Sequence, residues 1–545
     1  MREWEHEKTW WKEAVVYQVY WRSFYDTDGD GYGDLEGVIQ KLDYIRELGA
    51  DVIWLNPCYG SPDVDNGYDI SDYRSIMPKA GTMDTFDRLL QEVHARGMKL
   101  IMDLVVNHTS DRHPWFVESR SSKDHPKRDY YIWRKEPNNW RSYFTPSAWE
   151  YDEKTGEYYF HSFAVEQPDL NWENPKVREE IYDMMRFWLD KGIDGFRMDV
   201  INLLAKQAGF PDAENPDNIS YLGNNPGIHE YLQEMHEKVL KHYDIFTVGE
   251  IPFVTPEDGV LYVGEDRGEL HTLFHFEVCD YMAHWDMLRF KDIQKRWYDG
   301  MWGKGWNSQF LNNHDHTRLV TRFGNDTTYR VESAKCFATL LHTLPGMPYI
   351  YQGEEIGMTG VRFDSIEDYN DIAMKNKYRE EVEKGRDPKE VFESLLHLSR
   401  DNSRTPVQWD DSENAGFTSG TPWIKVNPNY KEINVAAALA DPNSVFYYYK
   451  KLIQLRKAHE VMVYGSYEPL LEDHEQIYAY LRELGGEKWL VVLNISDQPA
   501  VCELPASVIS YPRELLIANY REQADPSDEW QLRPYESRVY RLKSS

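Results

Sequence analysis

Four short stretches of this chain put acids and histidines where a strand pattern stops. KLIMDLVV carries Asp103 and runs on to Asn107 and His108; GFRMDV carries Arg197 and Asp199; IFTVGE ends in Gly249-Glu250; SQFLNNH leads into Asn313-His314-Asp315. Side chains alternate along a strand, so Arg197 and Asp199 share a face, where the guanidinium can hold the Asp199 carboxylate ionised. One acid at a strand end is commonly a turn or cap residue; four such ends together describe a reaction centre. The chain offers no Ser–His pair in a nucleophile-elbow context, no glycine-rich phosphate loop and no HExxH. Converging carboxylates with aromatic surroundings suit glycosidic bond cleavage: one attacks or stabilises the sugar carbon, and a second, kept protonated, gives its proton to the leaving oxygen.

These residues need a frame that brings strand ends together. Over the first 460 residues, short β-branched runs alternate with longer amphipathic ones. Strand patterns fall at 14–20, 51–57, 99–106, 195–200, 245–250, 270–278, 308–314 and 347–353, mostly separated by helical patterns. Eight such units predict an α/β fold, a closed parallel (β/α)8 TIM barrel, whose functional face is the C-terminal end of its strands. Residues 105–172, rich in Trp, Tyr, Pro and Asn without a long helical pattern, read as a subdomain inserted after strand three. From 461 onward, QIYAYLREL and KWLVVLNIS flank Gly485-Gly486, a hairpin signature. The expected organisation is a barrel over 1–104 and 173–460, an insertion over 105–172, and a C-terminal antiparallel β-sandwich over 461–545.

The motifs DLVVNHT (103–109), GFRMDV (195–200), VGEI (248–251) and NNHD (312–315) resemble, in order and spacing, the four short conserved regions of glycoside hydrolase family 13, the α-amylase family. NGYDISDY (66–73), YIYQGEEIGMT (349–359), RDNSRTPVQW (400–409) and NAGFTSGTPW (414–423) are similar to its oligo-1,6-glucosidase and α-glucosidase branch. The resemblance runs over essentially the whole chain. It implies Asp199 as catalytic nucleophile, Glu250 as general acid/base and Asp315 as the third carboxylate, gripping substrate hydroxyls. It implies His108 and His314 as sugar-binding histidines, Arg197 as the partner of the nucleophile and Tyr68 as an aromatic platform. Asp65 and Arg404 would clamp the terminal glucose. The implied activity is retaining, exo-acting release of glucose from the non-reducing end of short α-glucosides. Val200 and Pro252 resemble the residues that accompany α-1,6 rather than α-1,4 preference. The rivals are an α-1,4-preferring enzyme, a sucrose isomerase or transglucosidase, a trehalose-6-phosphate hydrolase and a non-catalytic binding homologue. Departures from the branch are His316-Thr317 where Gln-Pro is usual, and Phe144-Thr145-Pro146-Ser147 where Phe-Gly-Gly-Ser is common.

Residues 26–34, DTDGDGYGD, gather Asp26, Asp28, Asp30 and Asp34 among small residues, so several hard oxygens can fold around one cation. Position twelve of an EF-hand would fall on Gly37, so only the first part of that pattern is present. The loop resembles the calcium loop after strand one in the same branch, with the Tyr32 carbonyl as a further ligand and one structural calcium ion. No organic cofactor is implied.

Lys+Arg 61 against Asp+Glu 92 leaves −31, which argues against a nucleic-acid footprint and against anionic membranes. No run approaches the ~20 apolar residues of a membrane helix, and the N-terminus has no apolar signal core. Four scattered cysteines without CxxC spacing read as reduced thiols of a cytoplasmic protein; the partner implied by the resemblance is a small oligosaccharide.

Overall fold

The computed structural model describes residues 7–521 and 530–543. Residues 1–6 of the N-terminal stretch, and 522–529 and 544–545 of the C-terminal segment, lie outside the described residues. Eight parallel strands close into a barrel: β1 (Val16–Val19), β2 (Val52–Leu55), β3 (Lys99–Leu104), β4 (Gly195–Met198), β5 (Phe246–Glu250), β6 (Thr272–Phe274), β7 (Trp306–Phe310) and β8 (Met347–Tyr351). Each strand pairs with its neighbours in sequence, and β8 returns to β1 with Val16 opposite Tyr349.

Alternation sorts the side chains into two cores. Val16, Val52, Trp54, Ile101, Phe246, Val248, Phe274, Met347 and Tyr349 form one buried cluster that fills the barrel. Tyr17, Val19, Ile53, Leu55, Leu100, Met102, Phe196 and Met198, each one residue out of phase, belong to the layer shared with the surrounding helices. The inward phase carried two residues further gives Gln18 on β1, Asp103 on β3 and Glu250 on β5, and Asn56 just past β2, all buried. Polar chemistry is thus the top storey of a hydrophobic stack.

The helices are set by local signals. Pro175–Lys191 starts on Asn174, whose side chain accepts from Lys176 N–H, has Pro175 in its first turn, and stops at Gly192 with φ 108°. Val177, Ile181, Met184, Met185 and Trp188 form its buried face. Helix Arg330–Thr343 is buried on every side from Ser333 to Thr343. It lies between the barrel and the C-terminal sheet, with Thr339 Oγ1 3.0 Å from Ser537 Oγ and Thr343 Oγ1 2.5 Å from Tyr480 Oη. Such a helix is held by packing on all faces, and its buried cation, Lys335, donates from Nζ to the Asn443 carbonyl at 2.5 Å.

That C-terminal sheet has strands β9 (Ser466–Leu470), β10 (Ile477–Leu484), β11 (Glu487–Asn494), β12 (Arg513–Ala518) and β13 (Ser537–Leu542) in the antiparallel order β9-β10-β11-β13-β12. Gly485 and Gly486, at φ 57° and 85°, turn the β10–β11 hairpin. A two-stranded sheet (Ala500–Val501 with Gln531–Leu532) contributes Ala500 and Leu532 to a core with Ile477, Leu490 and Val492. The insertion after β3 holds helix Pro114–Ser119 and a three-stranded antiparallel sheet of Trp133–Arg134, Glu157–Phe160 and Trp149–Asp152.

Among the described residues no helix is long and apolar enough to cross a membrane. Cys58, Cys279, Cys336 and Cys502 are all unbridged. Burial pushes the thiols of Cys58, Cys279 and Cys502 up to about 12, which leaves them inert.

Candidate active site

Arg197, 3% exposed, stands at the end of β4 facing inward. Its Nη1 donates to Asp103 Oδ1 at 2.8 Å and to Asp199 Oδ1 at 2.9 Å, and its Nη2 donates to Glu250. Three strand ends are therefore gathered on one guanidinium. Asp103 is further held by Trp54 Nε1 at 3.0 Å and Tyr68 Oη at 2.9 Å. Burial pushes the Asp103 and Asp199 carboxyls up, to about 6, against the opposing pull of Arg197.

Asp315 lies opposite, past the end of β7 (Trp306–Phe310), within reach of Arg404 Nη2 at 2.9 Å and His314 Nε2 at 3.2 Å. Burial would raise its carboxyl, but His314, Arg404 and Arg400 hold it well below the usual carboxylate range. His314 is itself pushed far down by burial and is neutral at pH 7, so the lasting attraction comes from the two arginines. Gln18 Nε2 donates to His314 Nδ1 at 2.9 Å, which leaves the proton on Nε2, facing Asp315. The His314 ring lies stacked on Tyr68, 5.4 Å between centroids at 3°.

His108 lines the same pocket, but its ring nitrogens are engaged within the protein. Nε2 is 3.1 Å from the Tyr68 carbonyl, and Nδ1 is 3.2 Å from Asn107 Nδ2. A carbonyl only accepts, so His108 carries its proton on Nε2.

The expected pair of Asp65 with Arg404 is not formed. Asp65 Oδ1 accepts from Arg400 Nη2 at 3.2 Å, and Arg400 Nε donates to Asp371 Oδ1 at 2.8 Å. Arg404 instead faces Asp315 and donates from Nε to the His314 carbonyl at 2.9 Å. The two arginines sit one helical turn apart, at either end of Asp401–Arg404, so Arg400 reaches the pocket and Arg404, 1% exposed, stays one turn deeper behind Asp315.

Gln167, behind the lining, and Phe253, Phe276 and Asp280, within it, had no role in the sequence reading. Gln167 braces Asp65 and Tyr68, donating from Nε2 to Asp65 Oδ2 and the Tyr68 carbonyl, both at 3.1 Å. On the side reached from Glu250 the wall is Val200, Pro252, Phe253, Phe276, Asp280 and His316. The burial of Asp280 pushes its carboxyl up to about 6, against Arg322, and burial pushes His316 down to about 4, so this wall carries no positive charge at pH 7. Phe276 and Asp280 follow β6 directly, so the strand-end rule applied to that strand would have found them.

The acidic loop lies apart from this pocket. Asp26, Asp28 and Asp34 bring one oxygen each within 4.8 Å of one another. Oxygens ~2.4 Å from one calcium ion are at most about 4.8 Å apart, so the three fit a single coordination sphere. Asp30 is not among the three. Its Oδ1 accepts from Tyr32 N–H at 2.9 Å, and burial together with the charges of Asp28 and Asp26 pushes it up to about 6. Asp34 also caps helix Leu35–Gln40 through Gly37 N–H, and Asp26 Oδ2 accepts from Thr418 Oγ1 at 2.5 Å.

Comparison with known proteins follows the same lines. Residues 18–465 match the family model "Alpha amylase, catalytic domain", and residues 467–539 match "Maltogenic Amylase, C-terminal domain". The chain is 59% identical to an oligo-1,6-glucosidase of Parageobacillus thermoglucosidasius, over 98% of this chain and 100% of that one. It is 56% identical to an oligo-1,6-glucosidase of Bacillus cereus, over 98% and 100%. A crystal structure of Bacillus licheniformis trehalose-6-phosphate hydrolase superposes with a TM-score of 0.94 at 48% identity, covering 98% of this chain and 100% of that one.

The raised carboxyls at Arg197 set a pH dependence. A nucleophilic carboxylate works only when ionised, and the Asp103–Asp199 pair takes up protons near pH 6. In the free protein, kcat/KM is expected to fall by about tenfold per unit below pH 6. Asp315, held low, adds no limb in that range. A profile flat down to pH 4.5, measured with the protein shown to stay folded, contradicts this.

Proposed function

The chain belongs to the α-amylase family of glycoside hydrolases, and from that premise we propose that it is a retaining, exo-acting α-glucosidase that prefers α-1,6 linkages in short oligosaccharides. The observation that carries the reading is the shared guanidinium. Carboxylates held by the two amino groups of one arginine are drawn close together, which favours the ~5–5.5 Å spacing of retaining enzymes over the ~6.5–9.5 Å that inverting pairs need for a water. Asp199 would attack the anomeric carbon to form a glucosyl ester while Glu250, protonated and released from Arg197, gives its proton to the departing glycosidic oxygen. Glu250 would then take a proton from the water that releases glucose. Tyr68, His314 and Asp315 would hold the reacting sugar, with His108 behind Tyr68. The Asp65–Arg400 pair closes the pocket beyond that sugar, with Arg404 supporting Asp315.

The linkage preference rests on the oligo-1,6-glucosidase relatives and on Val200 and Pro252. A stiff β-branched side chain beside the nucleophile narrows the leaving-group side. An α-1,6 bond has an extra methylene and torsion that let its sugar swing clear. The rivals fit less well. A phosphorylated disaccharide would meet Asp280 and neutral His316, and Arg400, the arginine in the lining, is already paired with Asp65 and Asp371. The non-catalytic reading conflicts with Asp199, Glu250 and Asp315 all facing one pocket.

Asp26, Asp28 and Asp34 would hold one structural calcium ion, with Asp30 and the Tyr32 carbonyl the outer candidates of the sequence pattern. The ion would neutralise their mutual repulsion and fasten the loop to the Phe417–Trp423 segment, whose Phe417 carbonyl accepts from Asp26 N–H at 3.0 Å. The unbridged, buried thiols favour a reducing, cytoplasmic setting.

Three outcomes test this reading. Asp199→Asn and Glu250→Gln are each expected to lower turnover by about 10³-fold or more with the fold intact, and the parent is expected to release α-glucose; near-normal activity in either variant, or β-glucose from the parent, overturns it. On isomaltose and maltose, kcat/KM is expected to favour isomaltose, and Val200→Ala should narrow the ratio by about tenfold. A parent that prefers maltose refutes the linkage. Exhaustive chelation should lower Tm by several degrees and calcium should restore it; an unchanged Tm with no metal by elemental analysis makes the loop an acidic turn only.

A further inference from the structure

Left-handed backbone is uncommon outside glycine, and in β-branched or bulky residues it is an outlier. Two such residues follow the reacting carboxylates. Val200, the residue after Asp199, has φ 35° and ψ 46°; Phe253, third after Glu250, has φ 61°. Each is strained and persists only where its surroundings over-determine it.

For Phe253 the surroundings are a pair of amides. Asn202, fully buried, donates from Nδ2 to the Pro252 carbonyl at 2.6 Å and to Asn224 Oδ1 at 3.0 Å. Asn224, itself left-handed at φ 57°, donates from Nδ2 to the Phe253 carbonyl at 2.9 Å. Its Oδ1 also accepts from Tyr262 Oη at 2.6 Å, and its main-chain N–H donates to the Asn202 carbonyl at 3.1 Å. The two carbonyls so held belong to the peptide planes on either side of the Phe253 Cα. Pinning both planes fixes φ and ψ of that residue. Gly223 packs close beneath: a Cβ there would sit 3.1 Å from Asn202 Nδ2 and 3.2 Å from the Phe253 ring, so both would have to give way by a few tenths of an ångström.

Asn202 lies in the short turn Ile201–Leu203 that Val200 opens, so the same amide belongs to the backbone leaving Asp199. At the other strand end Gly249, beside Glu250, lets Ile201 close in: a Cβ at 249 would be 3.1 Å from Ile201 Cγ2. Neither Asn202 nor Asn224 lines the pocket. We propose that Asn202 and Asn224 are positioning residues whose paired amides tie the turn after Asp199 to the turn after Glu250, and so fix how the two carboxylates face each other. This role rests on the retaining reading given above.

Asn224→Gly deletes the amide while glycine keeps the left-handed backbone accessible. Asn224→Asp keeps the acceptor for Asn202 and Tyr262 but removes the donor to Phe253. Both are expected to lower kcat on isomaltose by about ten- to a hundredfold, because small misplacements of reacting groups cost that much, with KM within about threefold. Glycine at 253 enters the left-handed region without the clamp. In a Phe253→Gly background, whatever its own activity, adding Asn224→Gly should therefore cost less than about threefold in kcat. A merely structural role would lower Tm and remove the same activity in both backgrounds. Either that result, or kcat within about threefold of the parent for both Asn224 variants, overturns the proposal. If Asn224→Gly does not fold alone, Asn224→Asp and the Phe253→Gly pair decide. Asp199→Asn, assayed alongside, separates the two readings: an active Asp199→Asn sinks the retaining mechanism, while an inactive one beside an unaffected Asn224 variant sinks only the clamp.

Discussion

The top of the barrel is arranged around one buried cation. Arg197 meets Asp103, Asp199 and Glu250, so three potential negative charges depend on a single guanidinium that is almost wholly withdrawn from water. Removing a partner from such a buried set leaves unpaired charge, at a typical cost of about 3–5 kcal/mol. Lysine would not serve, because a point charge cannot present two amino groups to carboxylates on two strands. The constraint reaches into the sheet. Asp103 stands opposite Arg197 in the β3–β4 pairing, Val248 stands opposite it in β4–β5, and Glu250 follows one inward position later. A one-residue slip of either strand would turn its acid out toward the helices.

The insertion shares in this arrangement. Val200, Leu203 and Leu222 are buried in one cluster with Trp140, Trp149 and Phe160, so the turn that leaves Asp199 is part of the insertion's own core. Burying a side chain such as Val or Leu is worth about 1.5–3 kcal/mol, enough to hold one strained residue in place. Aromatic contacts carry the connection to the pocket wall: Phe253 stacks on Tyr143 at 6.2 Å, and Tyr143 on Phe163 at 4.8 Å. The barrel supplies the carboxylates gathered on Arg197, and the inserted residues help to shape the wall beside them.

What could be read beforehand followed from periodicity. Alternation in eight short apolar runs located every barrel strand, and the same period placed Arg197 and Asp199 together. Where periodicity stops, residue types alone were ambiguous. Arg400 and Arg404 stand four apart in one motif, and only the depth of a single helical turn decides which reaches Asp65, 335 positions away. Phe253 gave no sign, since its importance lies in a backbone angle. Helix Leu35–Gln40 breaks at Lys41 before Leu42–Leu48, and Lys41 cannot be told from a helix interior by type. In the acidic loop the spacing of the aspartates was plain, but not that Asp34 also serves as a helix cap, which fixes its direction independently of any ion.

The Asp65–Arg400 bridge joins the segment after β2 to the segment after β8, across the barrel from Glu250. It closes the pocket on that side, and a pocket closed on one side favours a queue. On the proposed activity, the sugar split off first would stand in the opening and would have to depart before water could enter, and the sugar formed deepest would leave last. Any second saccharide waiting at the door competes with water for the same approach. Crowding by sugar would therefore shift the outcome from hydrolysis toward transfer without a change in any reacting group, through the order of traffic alone.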